Sequence, residues 1–148
     1  MQTATPSGDD YAMLAAVARE YRDVHLVALK KLAHYNPHLG VDALCFQRLT
    51  SDEGEALLVG ALITPCSLWL VALWPDEHAD AAADEYLLAL PSGSYRLHRH
   101  AFGIRTWYQR RILDDLSELG SMQEAARLAQ QLMTRLFEPP APPSDDEA

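Results

Sequence analysis

Residues 56–74 read ALLVGALITPCSLWLVALW, nineteen consecutive positions without a charge. A bilayer-spanning helix needs about 20 apolar residues, so length alone would admit a membrane anchor. The interior of the run argues otherwise. Thr64, Pro65 and Ser67 lie at its centre, where a proline removes a backbone hydrogen bond that lipid cannot replace. The flanks are acidic, with Asp52, Glu53 and Glu55 before it and Asp76 and Glu77 after it. Two short apolar stretches bounded by turn residues read instead as buried strands, here Leu57–Ile63 and Leu68–Leu73, hinged at Thr64-Pro65. Proline is tolerated in a sheet only at an edge, a bulge or a strand start, so a break or bulge is predicted within two residues of Pro65. No membrane insertion is expected.

The remaining chain is compatible with one domain built around that pair. At 148 residues it is long enough to bury a core, and 49% hydrophobic residues place it among globular chains. The opening MQTATPSGDDYAM has no charged segment followed by an apolar one, so no export signal is expected. The two cysteines, Cys45 and Cys66, are too few for a disulfide scaffold and lie within apolar runs, where both are expected as buried strand residues. Together these features predict a cytoplasmic protein. A net charge of −9 is poorly suited to nucleic acid, which is bound through basic patches. It keeps an apolar protein soluble and would attract a basic partner segment.

Ser7 before Asp9 and Asp10 marks a helix start, since acidic residues suit the first turn. Leu14, Val17, Tyr21, Val24, Ala28 and Leu32 then recur at helical spacing. That helix should stop before Asn36-Pro37, because the residue ahead of a proline is pushed out of the α region. A strand is predicted at Ala43–Leu49, with SDEGE as the turn into the apolar pair. PDEHADAAADEYLLAL could hold a short helix and LPSGSY a turn. Tyr95, Leu97 and Phe102 begin a half-polar strand region, which Ile104–Ile112 continues beyond Gly103. Ser121 and Glu124 have capping-box spacing, followed by an apolar helical face of Ala125, Leu128, Ala129, Leu132, Met133 and Leu136. The predicted fold is α+β: a largely antiparallel sheet between an N-terminal and a C-terminal helix. Residues 1–8 are expected to be a flexible N-terminus, 9–138 the domain, and 139–148 a disordered acidic, proline-rich tail.

Chemistry is poorly represented. His98 and His100 share one face of a predicted strand, but Arg99 intervenes and no nearby Cys, Asp or Glu has ligand spacing, so a solvated sheet face is the expectation. Cys66 lies in apolar surroundings where no cation stabilises a thiolate. Asp114-Asp115 reads as a loop pair. No Gly-rich phosphate loop, GxSxG or CxxC motif is present. No catalytic residue, metal or cofactor is therefore expected. Binding is the alternative, with Trp69, Trp74 and Trp107 as core residues or as anchors for a peptide. Ser67–Leu73 is apolar on both faces. A sheet covered on one side would leave a face needing a partner, as in a chaperone; helices on both sides would bury it. The sequence is compatible with either.

The order of motifs resembles the HybE/HupJ family of nickel–iron hydrogenase assembly chaperones. The likeness runs through YNPHLGVDALCF, VGALITPCSLWLVALWP, LPSGSYRL, Gly103 and a final helix entered after a short loop. The matching positions are Asn36, Pro37, Gly60, Thr64, Pro65, Leu90, Pro91, Gly93 and Gly103. Two positions depart from the family pattern: Cys66 stands where Trp is usual, and RILDD at 111–115 replaces a Ser-Leu-x-Ser-Pro stretch. The resemblance implies a non-enzymatic cytoplasmic chaperone without cofactor. Its partner would be a hydrogenase small or large subunit precursor, including a twin-arginine signal peptide before export. Thr64, Pro65, Trp69, Gly93, Gly103 and Trp107 are the expected partner-binding positions. A homodimer is possible for such a chain. The alternative is an acidic secretion-type chaperone for another exported protein, for which a stable dimer and an unrelated client are expected.

Overall fold

The structure is a computed structural model and describes residues 2–50, 55–75, 83–102 and 105–139. Gly103 and Ile104, the SDEGE turn up to Gly54, residues 76–82 and the tail from residue 140 lie outside the described residues.

The elements run β1 (Gln2–Ala4), α1 (Gly8–Leu29), β2 (Asp42–Thr50), β3 (Ala56–Ile63), β4 (Leu68–Leu73), β5 (Glu85–Leu90), β6 (Gly93–Phe102), β7 (Arg105–Leu113) and α2 (Met122–Leu136). All strands join one antiparallel sheet in the order β1-β2-β3-β4-β7-β6-β5. The uncharged run becomes the central hairpin, Ile63 opposite Leu68, and the break falls at Thr64–Ser67 as Pro65 requires. Odd-numbered β3 residues Leu57, Val59, Ala61 and Ile63 enter one core, with Ala125, Ala129 and Met133 of α2. Leu58 and Leu62 enter another, with Leu14, Val17 and Tyr21 of α1. One helix therefore covers each side of the sheet, and the doubly apolar strands are buried between them.

Several expectations need correction. Gln2–Ala4, placed in a flexible N-terminus, pair with Arg48–Thr50 of β2. The first helix stops before Asn36 as expected, at Leu29, but its buried stripe ends at Tyr21, since Val24, Val27 and Leu32 are exposed. Tyr86 and Leu87–Leu90, a possible helix, form β5, where Leu88 and Leu90 are buried and Leu87 and Ala89 exposed. Period two outweighs helix propensity once one face meets a core. The half-polar strand region is a hairpin of β6 and β7. At α2, Ser121 accepts from the Glu124 N–H but Glu124 turns to the Gly120 N–H at 2.8 Å. The reciprocal capping box sits at α1, between Ser7 and Asp10.

Cys45 is exposed and not a buried strand residue. Leu44 faces Ala61 and Gln47 faces Val59, so Cys45 and Phe46 together stand against Gly60. This is a β-bulge, and Cys45 takes its left-handed conformation at φ 59°. The extra residue reverses the alternation of β2. Ala43 before it and Phe46 after it both turn to the α1 side, as does Arg48, whose Nη1 donates to both carboxylate oxygens of Asp10 at 2.8 and 2.7 Å. Burial pushes the Asp10 carboxyl up, but the Ser7 backbone N–H and the Arg48 guanidinium outweigh it and hold its pKa below the ordinary value.

Cys45 opens onto a cavity of about 500 Å³ between β1, the bulge and α2, lined by Thr3, Gln47, Gln130 and Thr134 among others. Cys66 is buried, its thiol pointing at the Leu29 carbonyl at 3.6 Å. Burial raises both thiol pKa values. A thiol reagent added to the native protein at pH 8 is expected to titrate Cys45 and spare Cys66, with both reacting in denaturant. Equal native rates for the two would contradict this placement.

Candidate functional site

Three connections meet at one end of the sheet: the loop after α1, the Thr64–Ser67 turn, and the loop between β7 and α2. Asn36 ties them together. Its buried amide Nδ2 donates to the carbonyls of Leu116 at 2.9 Å and Leu119 at 2.7 Å, and its Oδ1 accepts from the His38 N–H at 3.0 Å. Its backbone N–H donates to the Pro65 carbonyl at 2.9 Å. Thr64 closes the turn from within, its Oγ1 accepting from the Cys66 and Ser67 N–H groups at 3.1 and 2.9 Å. The Ser67 hydroxyl accepts from the Trp69 indole N–H at 2.7 Å. Trp69 is half-buried on the α1 side, and the Arg111 guanidinium lies 4.9 Å from its ring centroid.

This knot fixes the approach to α2, beside which two cavities follow each other along β7. The first, about 340 Å³, has Leu113, Leu116, Leu119 and Leu128 as its apolar wall and Asp115 and Glu118 at its rim. The Asp115 carboxylate accepts from the Ser117 N–H at 2.9 Å, and hydrogen bonds to Ser117 hold its pKa below the usual value. The second, about 370 Å³, has Leu70, Ile112, Leu132 and Leu136 as its apolar wall, with Arg110 and Arg135 beside it. Leu128, Leu132 and Leu136 recur along α2 and span about 12 Å at 1.5 Å per residue.

Thr64, Pro65 and Trp69 are thus brought together. Gly93 lies at the same end of the sheet but on β6, where φ +150° at the end of the Pro91-Ser92 turn favours glycine. Trp107 is buried beneath α1, stacked on Tyr21 at 5.6 Å, and presents no surface. Gly103 is outside the described residues. Sequence reasoning missed Asp115, Glu118 and Leu128 as neighbours. The capping signal at Ser121 places the helix start; it does not show which strand the helix edge lies beside.

His98 and His100 separate in role. His98 is exposed, 3.8 Å from Glu85. His100 Nε2 lies 3.0 Å from His25 Nε2 of α1, and the two rings stack at 5.0 Å. Among the described residues no group of three His, Cys, Asp or Glu side chains could hold a metal ion. Burial lowers the pKa of both imidazoles, and at His100 the charge of His25 adds to it. Unfolded imidazoles with pKa about 6.5 take up protons that the folded pair resists. The stability held in the neutral pair is therefore complete above that value and is lost as pH falls through the lowered folded values. Urea midpoints at pH 7.5 and 5 should differ more for the wild type than for H25Q/H100Q. An equal fall in both proteins would assign the acid sensitivity elsewhere.

A family model described as NiFe-hydrogenase assembly, chaperone, HybE matches residues 12–148. Among solved structures, the chain is similar to the solution structure of HybE from Escherichia coli at 18% identity, with a TM-score of 0.56. The alignment covers 98% of this chain and 90% of that one, and the likeness speaks for the fold. No curated protein matches the chain. Among the described residues no helix is long and apolar enough to cross a membrane.

Proposed function

This chain belongs to the HybE family of NiFe-hydrogenase assembly chaperones, and from that premise we propose that it is a non-enzymatic cytoplasmic chaperone holding a hydrogenase subunit precursor before export. The segment it holds is the twin-arginine signal peptide of a small subunit. The observation that carries this reading is the family match over residues 12–148. The cavity rimmed by Asp115 and Glu118 supports the choice of segment: a basic stretch followed by apolar residues would place its charge at the acidic rim and its side chains against Leu113, Leu116 and Leu128. The rim falls within and just beyond RILDD, one of the two places where this chain departs from its family, so client preference is assigned to this loop.

Attraction between exposed charges is screened with a Debye length of about 10 Å at 0.1 M salt, whereas apolar burial is not. Calorimetry with a synthetic twin-arginine signal peptide should show binding that weakens and persists as salt rises toward molar. D115N/E118Q should weaken binding at low salt and leave the high-salt value unchanged. If neither the signal peptide nor a large-subunit precursor binds at any salt, the hydrogenase client is to be withdrawn.

A further inference from the structure

Charge in this chain is strongly segregated. Residues 93–113, the β6–β7 hairpin, hold five of its twelve basic side chains and no acidic one, while the chain as a whole carries 21 acidic residues. Arg105 is consumed structurally, its Nε donating to Glu20 of α1 at 3.0 Å. Arg96 lies near Glu85 at 3.4 Å, an exposed pair. Arg110 is different. It stands opposite Leu70 in the β4–β7 register, on the α2 side of the sheet, and its guanidinium makes a long 3.4 Å bond to the Arg96 carbonyl. Among the described residues no carboxylate pairs with Arg110 or Arg135, although the chain is rich in acid. Arg135 suits the last turn of α2, where a cation meets the negative end of the helix. Arg110, in a strand, has no such local reason to be there.

We propose that the cavity between β4, β7 and the C-terminal half of α2 binds a partner peptide segment carrying a carboxylate beside an aliphatic or aromatic side chain. The apolar group enters against Leu70, Ile112, Leu132 and Leu136, and the carboxylate is taken by Arg110 and Arg135. The volume of about 370 Å³ is that of a small-ligand pocket and accommodates one large side chain. Guanidinium groups are suited to carboxylate capture because their fork of N–H donors matches its two oxygens. A polyanion such as nucleic acid is disfavoured by the overall charge, whereas one or two carboxylates in a local basic field are not. The site is independent of the acidic rim near Asp115 and of the hydrogenase reading. If both cavities serve one client, basic and acidic residues flank its apolar stretch, separated by roughly four extended residues over the 12 Å between Leu128 and Leu136.

The test is fluorescence anisotropy of the full chain with a labelled dodecapeptide in which Glu alternates with Leu. The same peptide with Gln for Glu, one with Lys for Glu, and dodecanoate serve as comparisons. The Glu peptide should bind roughly tenfold more tightly than its Gln analogue, the scale of a charge-assisted hydrogen bond. R110Q and R135Q, both at exposed positions, should each lose most of that advantage, R110Q with an unchanged thermal midpoint and R135Q with one only slightly lowered by the lost charge at the helix end, and R110E should favour the Lys peptide. L132A should weaken the Glu and Gln peptides alike. Equal binding of Glu and Gln peptides, or a Glu preference surviving R110Q/R135Q, overturns the proposal. Arginine-dependent binding of dodecanoate without binding of the peptide overturns it in favour of a lipid. Loss of a hydrogenase client with the Glu preference intact would sink the functional reading and leave this site standing.

Discussion

Replacing Gly60 with Val is expected to destabilise the protein by about 3 kcal/mol or more, at the upper end for overpacking a core. Gly60 stands on β3 against the two bulged residues of β2. A Cβ built there would collide with the Phe46 ring and lie 2.7 Å from the Phe46 Cα. A flexible side chain could swing away; a backbone atom cannot. Relief requires moving β2 outward or undoing the bulge. Undoing it would return Phe46 and Arg48 to the wrong side of the sheet and strip Asp10 of its guanidinium. The loss should therefore appear in urea denaturation of G60V, and in G60A to a smaller degree. A G60V midpoint within error of the wild type would show that the bulge is not held by this contact.

Asn36→Ala is expected to cost about 2–4 kcal/mol, because two carbonyl acceptors and one N–H donor lose their shared partner in a buried place. Asn36→Asp should be no better: a carboxylate cannot donate to the carbonyls of Leu116 and Leu119 and would face them with like partial charge. The distinguishing measurement is hydrogen exchange. The Leu119 amide, bonded to the Leu116 carbonyl at 3.1 Å, should lose protection in N36A well before the amides of β3 and β4. A uniform loss across the sheet would make Asn36 an ordinary core residue. If the loop loosens as expected, N36A should also reduce affinity at the acidic rim, since Asp115 and Glu118 are carried by the segment that Asn36 fastens.

Both expectations rest on positions that the sequence marks only as punctuation. Gly60 reads as one more small residue within an apolar strand, and Asn36-Pro37 as a helix stop. Their importance comes from partners that are distant in sequence: Phe46 for Gly60, and Leu116 and Leu119 for Asn36, 80 and 83 residues away. Trp107 illustrates the reverse. As a large aromatic near punctuated strands it reads as core or as anchor, and the placement of Tyr21 above it makes it core.

What the sequence determined by itself is what short-range physics controls. The uncharged run broken at Pro65 could only be two strands and a turn, because proline has no N–H for the ladder. The cap at Ser121 and the spacing of Ala125, Leu128, Ala129, Leu132, Met133 and Leu136 specified a helix and its apolar face, and the order of elements specified an α+β sheet. What the tertiary structure decided is which side each apolar face meets. One helix lies on each side of the sheet. The bulge at Cys45 shifts β2 by one residue, exposing a thiol expected in the core and turning Arg48 toward Asp10. α2 packs over β2 and β3 and leaves cavities between its Leu128–Leu136 edge and β7, so that acidic and basic groups border successive apolar cavities. These are consequences of packing between segments far apart in the chain, and a local pattern of hydrophobicity says nothing of the partner it will meet.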